Sequence, residues 1–119
     1  MTRITIVGPC AAGKSTLAKN LQARGYAAED CAQEHSGVQA MWQRITHPDL
    51  LVYLDANIET INRRRGVNWE AAYLAVMNQR LAHARAHAHL YLDTNALTPE
   101  QVCDRAITFL EATGILPTP

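Results

Sequence analysis

The residues Gly8-Pro9-Cys10-Ala11-Ala12-Gly13-Lys14-Ser15-Thr16 carry the chemistry that is easiest to name in this chain. Positions 8 to 15 fit G-x-x-x-x-G-K-[ST] at every fixed position, with an apolar run before the motif and helical periodicity after it. Glycines let a backbone turn tightly and aim several N–H groups at one phosphate, and the start of the next helix adds partial positive charge. Lys14 is then placed to reach the β- and γ-phosphates of a nucleoside triphosphate, and the Ser15 hydroxyl to ligate Mg²⁺. Thr16 falls in the first helical turn near the phosphates. Cys10, Ala11 and Ala12 are small and leave a phosphate unobstructed, so the whole segment Gly8, Pro9, Cys10, Ala11, Ala12, Gly13, Lys14, Ser15 and Thr16 is the expected nucleotide contact.

Other residues invite chemistry with less pattern behind them. A metal-binding carboxylate commonly closes an apolar strand beside such a loop, and both Asp55 and Asp93 close apolar runs. By pattern alone Asp55 is the better of the two. His83, His87 and His89 give H-x-x-x-H-x-H, yet the glutamate of H-E-x-x-H is missing, so the segment reads as a solvated helix end and not as a zinc site. Trp42, Trp69 and Tyr73 fall at helical spacing and read as core.

The elements that must hold these residues follow from periodicity. Residues 3 to 7 form a buried strand, and Lys14 to about Arg24 a helix with Gly25 at its end. Tyr26 to Asp30 is a short, alanine-rich strand. Val38 to Ile45 is a helix presenting Val38, Met41, Trp42 and Ile45 on one face, ended by His47-Pro48. Asp49 to Ala56 is a continuous apolar strand of the kind covered on both faces. Asn57 caps a helix to about Arg65, one helix runs from Trp69 to about Ala86, and His89 to Asp93 is the last strand. Thr98-Pro99-Glu100-Gln101 starts a helix that reaches Thr113, with Gly114 as its stop. Strands alternating with helices imply an α/β fold with a mainly parallel sheet of four to five strands and helices on both faces.

Composition sets the bounds. The chain has 119 residues, enough for one compact domain spanning 1–119, with 48% hydrophobic residues. Eleven basic residues balance eleven acidic ones, which argues against a nucleic-acid partner or an anionic membrane surface. Three cysteines, Cys10, Cys31 and Cys103, show no CxxC spacing and suit a reducing compartment. No run of apolar residues is long enough for a membrane span and no leader is read at the start, so a soluble, cytoplasmic protein is expected. The tail Leu116-Pro-Thr-Pro119 reads as a frayed end. With so short a chain leaving sheet edges and helix faces partly uncovered, a homodimer is a natural possibility.

Taken together, the phosphate loop near the amino terminus, the strand LVYLDA before a helix ending Arg63-Arg64-Arg65, and HLYLDT before TPEQV resemble the small P-loop kinases of nucleosides, nucleotides and similar metabolites. The resemblance covers most of the chain and implies a P-loop NTPase-type three-layer α/β/α fold. It implies ATP or another nucleoside triphosphate with Mg²⁺, and phosphoryl transfer to a small-molecule acceptor. It implies that Arg63, Arg64 and Arg65 belong to a lid that neutralises the transferring group. Glu34-His35-Ser36 resembles the acidic-Arg-Ser motif of deoxynucleoside kinases with histidine in place of arginine, so Glu34 or Asp30 is implied as general base or as a magnesium partner through water. By the family's strand order Asp55 becomes structural. The family keeps an acceptor-binding insertion and a further strand where this chain has only Gly25 to His47. That departure keeps an alternative open: a nucleotide-binding module or weak NTPase acting as a sensor without an acceptor.

Overall fold

A computed structural model of the chain describes residues 1–118. Four strands, β1 (Arg3–Val7), β2 (Ala27–Asp30), β3 (Leu50–Asp55) and β4 (Leu90–Asp93), form one sheet in the order β2-β1-β3-β4. All the pairings are parallel, with Ile6 opposite Asp30 and Val52, and Asp55 opposite Asp93. The order follows from composition. RITIV and LLVYLD are almost wholly buried and take the two central positions, while AAED and LYLD leave polar residues exposed and lie at the edges.

Six helices cover the sheet: α1 (Lys14–Ala23), α2 (Met41–Thr46), α3 (Ile58–Arg65), α4 (Ala71–Arg80), α5 (Ala82–His87) and α6 (Pro99–Ala112). On one face Ile4, Ile6, Val52 and Leu54 pack with Leu17 and Leu21 of α1, Ile61 of α3, and Val102, Ala106 and Leu110 of α6. On the other face Val7, Leu51 and Tyr53 pack with Trp42 of α2, Leu81, and Ala84 of α5. The layers are therefore helices, sheet, helices. The α6 start is a full capping box: Thr98 accepts from the Gln101 amide, and the Gln101 side chain accepts from the Thr98 amide.

Several sequence expectations shift. The helix expected over 38–45 is the six-residue α2, and only Met41 and Trp42 of its expected apolar face pack inward. Val38 and Ile45 are exposed, and Trp42 and Thr46 are buried. The helix expected over 69–86 is divided at Leu81, whose amide is shared between the Met77 and Asn78 carbonyls as the first turn of α5 begins. Tyr73 and Val76 of α4 are exposed, so the aromatic there is not core. The tail is tied down as far as Thr118, whose amide donates to the Gly25 carbonyl at 2.8 Å. Pro119 lies outside the described residues.

Candidate functional site

The loop from Gly8 to Gly13 leaves the carboxyl end of β1, the position at which open parallel sheets hold ligands. Its first glycine is fixed by space and conformation together. Gly8 has φ 155°, and a Cβ there would lie 2.0 Å from the Leu54 carbonyl oxygen of the neighbouring strand. Gly13, at φ 107°, starts α1, and its carbonyl accepts the first helical bond, from Leu17 at 3.0 Å. The amides of Lys14, Ser15 and Thr16 precede any acceptor within the helix and remain for a ligand. Between the glycines Ala11 adopts a left-handed conformation at φ 60°.

Lys14 is buried at the mouth of this loop. Its Nζ donates to the carbonyls of Gly8 at 2.9 Å and Pro9 at 3.1 Å and to Glu34 Oε2 at 2.5 Å. Glu34 lies in a single 3-10 turn, Gln33–His35, between β2 and α2. Its side chain is only 4% exposed, and Oε1 has no hydrogen-bond partner among the described residues. The polar run from Glu29 to Ser36 is therefore not a surface loop throughout: Glu29 and Asp30 are exposed, but Gln33 and Glu34 are buried. Gln33 anchors the turn by accepting from the Trp42 amide at 2.9 Å and donating to the Val38 carbonyl at 2.8 Å. Arg80 of α4 reaches the Glu34 carbonyl.

Two cavities flank the loop and share Ala11, Gly13 and Thr16. One, of about 250 Å³, is an apolar slot closed by Leu17, Leu97, Pro99, Val102 and the Arg64 side chain. The other, a cleft of about 350 Å³, is lined by Cys10, Lys14, Ser15, Asp30, Glu34, His35 and Arg65. Ser15 and Asp30 are exposed oxygen donors within the cleft, an arrangement that suits a hard divalent cation.

The three arginines separate. Arg63 is exposed and lines neither cavity. Arg64 donates to the Ala11 carbonyl at 2.8 Å, to Thr94 Oγ1 at 3.1 Å and to the Thr94 carbonyl, so it braces the loop. Burial, with Arg63 adding, lowers its pKa from the ordinary arginine value. Arg65 faces the cleft with its guanidinium 5.1 Å from the Trp69 ring centre, a stacked cation.

The aspartates that end β3 and β4 are occupied elsewhere. Asp55 accepts from the Tyr91 hydroxyl at 2.5 Å and the Ala56 amide at 3.0 Å, and Arg85 lies 3.8 Å away. These contacts tie Asp55 to the β4 edge and to Arg85. Asp93 accepts from the Asn95 amide. Burial and the hydrogen bond to Asp55 push the Tyr91 hydroxyl up to about 12. The His83 and His87 ring centres lie 4.2 Å apart, but His83 Nδ1 accepts from the Trp42 indole, His87 Nδ1 lies 2.8 Å from the His83 carbonyl oxygen, and His89 Nδ1 accepts from the Leu51 amide.

Thr94 escaped the sequence reading. It is buried, with its hydroxyl 2.9 Å from the Ala12 carbonyl oxygen, and it joins β4 to the phosphate loop. Its signal was a threonine directly after a strand-ending aspartate, which is too common to stand out. Cys10 was expected as a small residue of the nucleotide contact, and its Sγ also lies 3.4 Å from His35 Nε2 and 4.0 Å from Glu34 Oε2. Burial, with Glu34 adding, raises that thiol's pKa, while Lys14 and Arg65 oppose the rise.

Among the described residues no helix is long and apolar enough to cross a membrane. A search of curated proteins finds no match to this chain. A family profile does match, over residues 4–102, and it spans the strand, loop, helix and both cavities just described. With a parallel sheet and a phosphate-binding loop at its centre, the chain belongs to the AAA domain family and is a P-loop NTPase-type, nucleotide-binding fold.

Proposed function

We propose that this protein binds a nucleoside triphosphate with Mg²⁺ and transfers its γ-phosphoryl group to a small metabolite, a nucleoside or nucleotide being the first class to test. The observation that carries the reading is that two unlike cavities share the loop residues Ala11, Gly13 and Thr16, with Lys14 lining the charged one. The apolar slot suits a base. The charged cleft suits phosphates and an acceptor hydroxyl.

Residues 8 to 16 hold the phosphates through their amides and Lys14. Ser15 and Asp30 would hold Mg²⁺, which supplies charge neutralisation on the triphosphate when bound. Lys14 exchanges Glu34 for phosphate oxygens, and this frees the Glu34 carboxylate to take the proton from an acceptor hydroxyl. Arg65, on the cleft wall, neutralises charge on the transferring group, while Arg64 keeps the loop in shape. Of the lid candidates, Arg63 has the weakest claim, because it lies away from both cavities.

The second reading, a nucleotide-binding module without an acceptor, is favoured by one feature. Between β2 and β3 lie only a 3-10 turn and the six-residue α2, with little chain to enclose a second substrate. A coupled assay across nucleosides, nucleotides and shikimate-like acceptors separates the two. Turnover with any of them supports transfer. Triphosphate binding without turnover, together with slow phosphate release that Lys14→Ala abolishes, supports the module.

A further inference from the structure

Cys10, Glu34 and His35 are brought together from the phosphate loop and the 3-10 turn, and one potential ligand atom of each lies within 4.8 Å of the others. We infer that these three residues form a zinc site, distinct from the Ser15 and Asp30 magnesium position and sharing Glu34 with the proposed transfer site. The donor set is a thiol, an imidazole and a carboxylate, a combination that suits borderline-soft Zn²⁺ and not the oxygen-seeking Mg²⁺. Geometry agrees. Sulfur and nitrogen bound to one tetrahedral zinc, with bonds of about 2.3 and 2.0 Å, lie roughly 3.5 Å apart, and Cys10 Sγ and His35 Nε2 are separated by 3.4 Å.

A second observation points to an absent partner. The Glu34 carboxylate is buried, Lys14 engages Oε2, and Oε1 has no hydrogen-bond partner among the described residues. A buried carboxylate oxygen left unpaired is costly, and a cation bound there would satisfy it while leaving Lys14 in place. Three protein ligands leave a fourth position for water or a phosphate oxygen. His35 is exposed, so a metal can enter from the cleft side. On binding, the Cys10 S–H bond breaks, a Zn–S bond forms, and the proton passes to buffer.

The test is titration of the metal-free full chain with Co²⁺, a coloured substitute for Zn²⁺, read by near-ultraviolet thiolate-to-cobalt charge transfer and by visible bands of tetrahedral cobalt. The expected result is a one-to-one complex that Zn²⁺ displaces and excess Mg²⁺ does not. Cys10→Ser should abolish the charge-transfer band. His35→Ala should weaken binding by more than the roughly 10–100-fold typical of changing an outer partner of a metal ligand. Circular dichroism confirms that each variant is folded, and Cys103→Ala, altered in the α6 core, should keep the band. No band in the parent chain, a band that survives Cys10→Ser in the folded variant, or displacement of Co²⁺ by Mg²⁺ would each overturn the inference. No nucleotide is present in the titration, so its failure leaves the phosphoryl-transfer reading untouched.

Discussion

Glu34→Gln tests the site most directly, because it should move binding and turnover in opposite directions. In the free protein the carboxylate holds Lys14, with Nζ and Oε2 2.5 Å apart, and on the proposed reading it competes with phosphate for that lysine. A hydrogen bond to a charged group contributes about 1.5–3 kcal/mol and a neutral one about 0.5–1.5. Glutamine keeps the shape and a neutral acceptor, so the lysine gives up about 1–2 kcal/mol less when it turns to a triphosphate. The variant should therefore bind a non-hydrolysable triphosphate about 5–30-fold more tightly in calorimetric titration with Mg²⁺. The same difference appears as a loss of stability in the nucleotide-free protein. Phosphoryl transfer or phosphate release, by contrast, should fall, since the amide cannot accept a proton from the attacking hydroxyl or water. Unchanged or weaker binding would refute competition for Lys14, and undiminished turnover would remove Glu34 as the base.

Lys14→Met leaves Glu34 buried without its cation and should cost about 3–5 kcal/mol in denaturant unfolding, while the double variant with Glu34→Leu should recover most of that; additive losses would contradict the pairing. Gly8→Ala places a methyl 2.0 Å from the Leu54 carbonyl and should prevent cooperative folding, so an unchanged unfolding midpoint would refute the close approach of β1 and β3. Arg64→Ala should speed amide exchange across Ala11 to Gly13 and weaken triphosphate binding, whereas Arg63→Ala should alter stability by less than about 0.5 kcal/mol; equal effects of the two would dissolve the distinction drawn between them. Tyr91 should ionise near its raised value of about 12 in an ultraviolet pH titration, and Asp55→Asn should bring it down. Because the folded state favours the neutral phenol, its contribution to stability is present below the usual tyrosine pKa of about 10 and is lost as pH rises through the folded value. Titration of Tyr91 at the ordinary value would break the link to Asp55.

What could be read ahead of the structure divides by the range of the interaction. The phosphate loop was legible because its demands are local: two glycines, a lysine and a hydroxyl at fixed offsets after an apolar strand, all within Gly8 to Ser15. The two central strands were legible because burial on both faces leaves a continuous apolar run, and the α6 start because a capping box is written in four consecutive residues. The site beyond the loop depends on pairings across many residues, which no local pattern encodes. Glu34 meets Lys14 only because β2 lies parallel to β1 and delivers the turn to the loop; the two strands share no sequence signal for that register. Asp55 shows the same limit from the other side. Its position at the end of a buried strand is what a metal-binding carboxylate would show, but Tyr91, 36 residues later, supplies the hydroxyl that engages it. The helix faces were misjudged for a related reason. Periodicity counts apolar residues but not the layer they meet: Val38 precedes α2, and Ile45 lies on it but exposed, while Trp42 finds cover against Leu81 and Ala84. On the proposed reading the nucleotide is recognised by contiguous residues and the acceptor step by residues that only the sheet order brings together, so a motif points to binding long before it points to transfer.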